Sequence, residues 1–329
     1  MKIVVTHTSP DMDAITSVWL VKKFLPNWAD ASVKFVPAGD RISARSLSHV
    51  SDDARLRNSE NQSLNSSSLS KSRIQSGTNP TFSSSESGQA PRVDPIEIID
   101  GDEVIHVDTG LGPLDHHQTA SDKVCGASLT FDFVKEHISK HDVEAVNRMV
   151  KVIVDVDHFK EVYRKDPLED YHEFDVAAVL DGLKLQIPAQ DDYYCEFIIK
   201  CLDAVLHEFE NRIWAEKEIK ENGKKFETKF GHGMGFETIN DSVVKLSQKM
   251  GYAIVARKDP RKGYVRIKVR PDSKIDLTLA YEKLRKIDPS ATWYLHISKK
   301  MLLNGSVKNP KMRPTKLTID EIIRVLEKI

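Results

Sequence analysis

Lys2–Phe24, with the sequence KIVVTHTSPDMDAITSVWLVKKF, sets the fold class of the amino-terminal half. Lys2–Thr6 is a short β-branched apolar run, and Asp13–Phe24 has apolar residues at helical spacing. The stretch therefore predicts a strand, a turn and a helix. The turn contains HTSPDMD, residues 7–13, where the strand ends. Since open α/β sheets bind ligands beyond the carboxyl ends of their strands, this turn is a candidate site.

The alternation of strands and helices continues along the chain. Short apolar runs predict strands at Val33–Val36 and Val104–Asp108, and amphipathic patterns predict helices at Gly126–Lys140 and Asp142–Asp157. Strands that alternate with helices are typical of an α/β domain with a parallel or mixed sheet and helices on both faces. The sequence predicts this class for residues 1–190.

A second, smaller α/β domain is predicted for residues 226–329, after a linking helix over 191–225 that ends near Asn222-Gly223. Here we expect helices at 242–250, 277–287 and 318–328, and strands at 252–257, 264–270 and 292–296. Thr318 and Glu321 have the spacing of a capping box at the start of the last helix. The glycine-rich segment Gly231–Gly235 is expected to form a flexible β-turn.

A serine-rich stretch interrupts the first domain. Residues 41–95 contain sixteen serines and a single aromatic residue, Phe82. Such a composition buries too little apolar surface to offset the entropy of ordering the chain, and it predicts a disordered insertion in a surface loop. The alternative is a flexible loop that is phosphorylated or contacts substrate.

The composition is that of a globular protein, with 40% hydrophobic and 29% charged residues. No apolar run approaches the roughly 20 residues of a bilayer-spanning helix, and the amino terminus has no signal-peptide pattern. The three cysteines, Cys125, Cys195 and Cys201, match no zinc or redox motif. We therefore expect the cysteines to be buried or unreactive thiols in a reducing compartment. We also expect a cytoplasmic protein with no membrane partner.

The net charge of −1 conceals an asymmetry between the two halves. Residues 211–329 hold 27 Lys and Arg against 14 Asp and Glu, whereas residues 1–210 hold 21 against 35. An acidic half followed by a basic half is typical of a metal-binding domain joined to a phosphate-binding domain. The alternative is that both charge excesses lie on solvated faces.

Aspartates and histidines occur in four clusters at the ends of predicted elements. The clusters are His7, Asp11 and Asp13; Asp108; Asp115, His116 and His117; and Asp155 and Asp157. Burying so many carboxylates together is costly unless cations neutralise them. Imidazole and carboxylate ligands suit Mn²⁺, Fe²⁺ or Zn²⁺, so the pattern predicts a two-metal centre. Taken alone, an aspartate before a helix is also an ordinary N-cap.

The order of these motifs resembles the DHH phosphoesterase superfamily. H-x-x-P-D-x-D at residues 7–13 is most similar to the form found in its phosphoesterases and manganese-dependent family II pyrophosphatases. The short gap between Asp108 and the D-H-H-Q of residues 115–118 is more similar to the melanocyte-proliferating-gene family, which is associated with 3′–5′ RNA exonuclease activity. That family usually has a second histidine where Asp11 stands. The resemblance covers roughly residues 1–160.

The resemblance implies two divalent metal ions, with Mn²⁺ preferred and Mg²⁺, Co²⁺ or Fe²⁺ as alternatives. His7 and Asp11 would hold one ion, Asp13 and His116 would hold the other, and Asp108 would bridge them. Two ions about 3.5–4 Å apart activate a shared water for in-line attack on a phosphoryl group.

The resemblance also implies the last metal ligand and the catalytic pair. Asp155 is the expected ligand because its spacing from Phe159 matches the superfamily motif, and Asp157 is the alternative. His117 would contact the scissile phosphate or assist the leaving group. Asp115 would orient a histidine instead of binding metal.

The basic half offers candidate residues for an anionic substrate. They are Arg266, Lys268 and Arg270 on one predicted strand, and His296, Ser298 and Lys299 in a later loop. We therefore expect a metal-dependent hydrolase, a 3′–5′ exonuclease with RNA or a short oligonucleotide as its substrate and partner. The alternatives are a small-molecule phosphohydrolase acting on pyrophosphate or a cyclic dinucleotide, and a non-catalytic RNA-binding module. A homodimer is compatible with the sequence, which does not set the oligomeric state.

Overall fold

The computed structural model describes residues 1–43, 94–305, 309 and 311–329. Apart from its two edges, the predicted serine-rich insertion at 41–95 lies outside the described residues. Within them the chain forms eight α-helices and two mixed sheets, which confirms the α/β class. None of these helices is both long enough and apolar enough to cross a bilayer. The chain divides into two compact units, Met1–Ala204 and Val205–Ile329.

The first unit contains a four-stranded sheet in the order β2-β1-β4-β3. The strands are β1 (Lys2–His7), β2 (Ser32–Val36), β3 (Ile96–Ile99) and β4 (Asp102–His106). β1 is the central strand and runs parallel to both β2 and β4. β3 is antiparallel to β4 and is joined to it by Asp100-Gly101, both with positive φ. The carboxyl ends of β1 and β4 therefore meet at one edge of the sheet.

The described residues from Met1 to Gln186 form four α-helices. They are α1 (Met12–Phe24), α2 (Gly126–Val134), α3 (Val143–Asp157) and α4 (Val176–Gln186). α1 is buried over most of its length because it packs against both α2 and α3. α2 is shorter than predicted, since a 3₁₀ turn follows it at 135–137.

The helix α5 (Asp191–Glu221) corresponds to the predicted linking helix at 191–225, and the division between the units falls inside it. Its first turns bury Tyr194, Ile198 and Leu202 in the first unit. Asp203 accepts a hydrogen bond of 3.0 Å from the indole of Trp19.

The second unit contains a six-stranded sheet in the order β5-β6-β7-β8-β10-β9. The strands are β5 (Lys224–Thr228), β6 (Gly231–Glu237), β7 (Ile254–Lys258), β8 (Val265–Val269), β9 (Trp293–Leu295) and β10 (Met301–Asn304). Only β6 and β7 are parallel among the described pairs. The helices are α6 (Ser242–Lys249), α7 (Thr278–Ile287) and α8 (Ile319–Leu326), and the predicted capping box of α8 is present.

The prediction of a β-turn at Gly231–Gly235 was wrong, because this segment lies within strand β6. A Cβ at Gly233 would lie 2.3 Å from the ring of Phe226, and one at Gly235 would lie 2.6 Å from Ile323. These glycines leave space for side chains of β5 and α8. In the sequence, a glycine-rich segment that arises from such packing looks the same as one that forms a turn.

Candidate metal centre

Most of the predicted metal ligands meet at the edge where β1 and β4 end. His7 is the last residue of β1, and Asp108 follows β4 by two residues. The Nε2 atom of His7 lies 3.4 Å from Oδ2 of Asp108 and 3.9 Å from Oδ2 of Asp11. Parallel pairing of the two strands through the sheet therefore brings together residues about a hundred positions apart.

The His7 ring is held in one tautomer. Its Nδ1 lies 3.0 Å from the carbonyl oxygen of Thr8, so Nδ1 donates its proton there. A neutral ring then presents the Nε2 lone pair to the carboxylates of Asp108 and Asp11. Metal-binding histidines are held in the same way, by a backbone carbonyl on the other nitrogen. The lone pair and the carboxylate oxygens repel one another. A cation placed between them would be attracted to both.

Asp108 lies at the centre of the cluster. It is buried and has φ of +50°, a backbone conformation that L-residues rarely adopt. Its Oδ1 lies 3.5 Å from Nε2 of His116 and accepts no hydrogen bond from the described residues. A buried carboxylate oxygen without a partner costs free energy unless a ligand compensates it.

His116 faces three carboxylates through one nitrogen. Its Nε2 lies 3.5 Å from Asp108 Oδ1, 3.7 Å from Asp13 Oδ2 and 3.7 Å from Asp157 Oδ2. Burial lowers the pKa of His116, although Asp157 acts in the opposite direction. Burial thus favours the neutral imidazole, the form that binds metals.

Asp157 takes the place expected for Asp155. The Asp155 side chain is 59% exposed and lies 3.9 Å from Nζ of Lys160, whereas the Asp157 side chain is 12% exposed and faces His116. Two residues along a helix correspond to about 200° of rotation, so the two carboxylates point in nearly opposite directions. Asp157 Oδ2 is buried and has no hydrogen-bond donor among the described residues. The structure therefore brings Asp157, the alternative, into the cluster and leaves Asp155 outside it.

Asp13 links the cluster to the start of α2. Its two carboxylate oxygens accept hydrogen bonds of 2.6 Å from the backbone N–H groups of Gly126 and Ala127. Burial and the neighbouring Asp108 raise the pKa of Asp13 well above its ordinary value. Asp13 is therefore tied to the helix amino terminus, with only one oxygen directed towards His116.

Gly126 opens α2 beside the cluster. A Cβ at this position would lie 2.8 Å from Cβ of Asp108 and 3.0 Å from Oδ2 of Asp13. Glycine is thus required for α2 to approach both carboxylates.

His117 and Asp115 form a separate pair beside the cluster. Nδ1 of His117 lies 2.6 Å from Oδ1 of the buried Asp115, which also accepts hydrogen bonds from the backbone N–H groups of Leu111 and His117. Burial acts to raise the pKa of Asp115, but these hydrogen bonds outweigh it and lower that pKa. The ionised Asp115 thus holds Nδ1–H of His117, whose side chain is 57% exposed.

The remaining carboxylates of the cluster favour a proton or a cation. Burial, followed by the charge of Asp11, raises the pKa of Asp108 to about 9. Burial and the nearby Asp11 also raise the pKa of Asp157, against the opposing effect of His116. Accumulated negative charge of this kind is what a bound cation neutralises.

Three overlapping groups in the cluster have ligand atoms close enough to hold a metal ion. They are His7, Asp11 and Asp108; Asp108, His116 and His117; and His116, Asp157 and His158. His158 has its Nε2 2.9 Å from the carbonyl oxygen of Val124, so this nitrogen is a donor and not a ligand. The first two groups share Asp108, and the last two share His116. Their chemistry fits divalent ions with nitrogen and oxygen ligands.

The predicted substrate residues lie in two places in the second unit. Arg266 and Lys268 lie on one face of β8 and line a cavity, while Arg270 pairs with Asp272 on the surface. The others lie in the β9–β10 turn, where His296 Nδ1 is 2.8 Å from Ser298 Oγ and Lys299 pairs with Asp276 at 3.0 Å.

Comparisons with known proteins give no family for this chain. No family model matches it, and no curated protein matches it. Among solved structures, it is similar to an uncharacterized protein from Helicobacter pylori G27, with 12% identity, 100% of this chain and 99% of that chain covered, and a TM-score of 0.25. A likeness at this level carries no argument about fold or function.

Proposed function

We propose that this protein is a metal-dependent phosphoester hydrolase of the DHH type. The observation that carries the proposal is the buried cluster around Asp108, in which carboxylate oxygens of Asp108 and Asp157 lack partners among the described residues. His7 and His116 both direct their Nε2 atoms at the carboxylate of Asp108. Such an arrangement is costly without a cation and is typical of a divalent metal site.

The residues divide into two ligand sets that share Asp108. His7, Asp11 and Asp108 would hold one ion, and Asp108, His116 and Asp157 would hold a second, with Asp13 beside it. Bound Mn²⁺ or a similar ion would lower the pKa of water and neutralise charge on a phosphoryl group.

His117 is the candidate proton donor. Asp115 holds its Nδ1–H, so the proton that His117 can exchange is the one at Nε2. A protonated Nε2 would donate a hydrogen bond to a phosphoryl oxygen or a proton to the leaving oxygen. Asp115 would act through His117, by keeping its ring oriented.

A short RNA or oligonucleotide is the substrate that we propose. The excess of Lys and Arg in residues 211–329 supports it, because phosphate backbones are bound through such cations. Pyrophosphate, a cyclic dinucleotide and a purely RNA-binding role remain as alternatives.

The test is hydrolysis of a short single-stranded RNA in the presence of Mn²⁺, with pyrophosphate and a cyclic dinucleotide assayed in parallel. We expect RNA shortening that requires Mn²⁺ and is lost in His116→Ala. His141→Ala is the matched control, because His141 is an exposed histidine of the same unit.

The other outcomes are equally decisive. Turnover of pyrophosphate or the cyclic dinucleotide alone would support the hydrolase activity and contradict the proposed RNA substrate. Absence of turnover by a protein that binds Mn²⁺ would contradict the enzyme proposal and favour a binding module.

A further inference from the structure

The second unit contains a cavity of about 580 Å³. Residues of α5, α6 and β8 line it, together with the segment that precedes α6, and all of them belong to Val205–Ile329. Cavities of roughly 300–1,000 Å³ are typical of small-molecule sites. The cavity is therefore large enough for a small organic ligand.

Cationic side chains dominate the lining. Five are cationic and two are acidic: Arg212, Lys245, Lys249, Arg266 and Lys268 against Glu208 and Asp241. Asp241 already pairs with Arg266, and its Oδ1 lies 2.7 Å from Nε of Arg257. Its charge is therefore shared between two guanidinium groups.

The lysines of the lining form no ion pair with any of the described residues. In the part of the chain that the structure describes, no carboxylate forms an ion pair with Lys245, Lys249 or Lys268. Burial lowers the pKa of Lys268, and the nearby charges of Arg266 and Lys245 add to this effect, whereas Asp241 opposes it. Cations crowded around a cavity repel one another, and an anionic ligand would relieve that repulsion.

Apart from Asn240 and Ser242, the rest of the lining is apolar. It includes the aromatic ring of Phe209 and the aliphatic side chains of Val244 and Leu246. An inorganic anion would make no apolar contact with these side chains. A ligand with a phosphate at one end and a flat, weakly polar ring at the other matches both parts of the lining.

We propose that this cavity binds a mononucleotide, with its phosphate held by Lys245 and Lys268 and its base against Phe209. The site belongs to the second unit alone and requires neither a metal ion nor hydrolysis. A ligand bound here would be a product, a substrate end or an effector of the proposed hydrolase. Binding and hydrolysis can therefore succeed or fail independently.

The test is isothermal titration of the full-length protein with AMP, adenosine and inorganic phosphate in EDTA, at physiological salt. We expect AMP to bind more tightly than either of its parts. Lys268→Gln and Lys245→Gln should each weaken AMP binding by about 10-fold or more, because each removes a charged hydrogen-bond donor. Lys286→Gln is the control, because Lys286 is an exposed lysine of α7 outside the lining.

Three results would overturn the proposal. They are no binding of AMP, binding that neither lining variant weakens, and binding of adenosine or inorganic phosphate as tightly as AMP. Lys245 is exposed, so its variant should fold normally even where Lys268→Gln is destabilised. Since EDTA removes divalent ions, a failure here leaves the Mn²⁺-dependent RNA assay unaffected, and the reverse also holds.

Discussion

Asp155 and Asp157 carry the same functional group two residues apart, and only their direction distinguishes them. Asp157 faces His116 from the end of α3, whereas Asp155 lies near Lys160 on the surface. A metal ligand must point into the cluster, so the two positions should respond differently to the same substitution.

Asp157→Asn should lower Mn²⁺ affinity by at least about 10-fold, since even residues that merely support a ligand cause losses of 10–100-fold. Asp155→Asn should leave the affinity nearly unchanged. Mn²⁺ titration followed by calorimetry or electron paramagnetic resonance measures both. An equal loss in the two variants would contradict the assignment of Asp157.

Gly126 offers a second comparison at the residue scale. Alanine normally stabilises a helix relative to glycine by up to about 1 kcal/mol. At Gly126 we expect the opposite, because the added Cβ would lie 2.8 Å from Cβ of Asp108. Gly126→Ala should therefore lower both thermal stability and Mn²⁺ affinity.

Gly182→Ala is the matched control, because a Cβ at this position in α4 would meet no atom within 4 Å. Thermal unfolding should show an unchanged or raised midpoint for Gly182→Ala and a lowered one for Gly126→Ala. A stabilised Gly126→Ala protein that binds Mn²⁺ normally would show that the close approach of α2 is unnecessary.

At the scale of elements, Asp288 joins the end of α7 to the segment before α8. Its carboxylate accepts hydrogen bonds from Thr315 Oγ1 at 2.6 Å, Ser290 Oγ at 2.7 Å and the Lys316 backbone N–H at 3.1 Å. Burial acts to raise the pKa of Asp288, but these hydrogen bonds dominate and lower it to about 2.

The lowered pKa predicts a pH-dependent contribution to stability. Because the folded state holds the ionised carboxylate, the contribution is complete above the ordinary pKa near 3.8 and is lost as the pH falls towards 2. The difference in unfolding free energy between wild type and Asp288→Asn should therefore shrink between pH 5 and pH 2. Urea unfolding across this range measures it, and a constant difference would contradict the prediction.

Two of the elements that sequence analysis missed, β3 and β6, have local causes. The strand β3 follows directly after the serine-rich stretch, and its hairpin with β4 is signalled only by the Asp100-Gly101 pair. In β6, Gly233 and Gly235 leave space for Phe226 and Ile323, and the resulting glycine-rich sequence is easily mistaken for a turn. Amphipathic elements such as α3 and β8 were predicted because one face of each is buried, which leaves a periodic apolar pattern.

At the scale of the whole molecule, each unit has its own hydrophobic core. One core cluster lies around Ile3, Val5 and Val104, and another lies around Ile267 and Leu302. A ligand that binds only the folded state stabilises it, by about 2.7 kcal/mol at a concentration of 100 Kd. Metal binding at His7, Asp108 and His116 should therefore act on the first unit.

Hydrogen exchange with and without Mn²⁺ tests this expectation. Protection should rise in peptides from Met1–Ala204 that contain β1, α1 and α2, and it should stay unchanged in β7 and β8. His116→Ala should abolish the increase. An equal rise in protection in both units on addition of Mn²⁺ would indicate that the ion binds outside the proposed centre.

The sequence by itself determined the α/β class, the strand–turn–helix at residues 2–24 and the residue types of the candidate metal centre. These features depend on local periodicity and on motifs that a short segment contains in full. The tertiary structure decided which aspartate of α3 faces His116, why Gly126 must be glycine and which basic residues line one cavity. Each of these depends on the direction of a side chain relative to residues far away in the chain, and packing alone determines that direction.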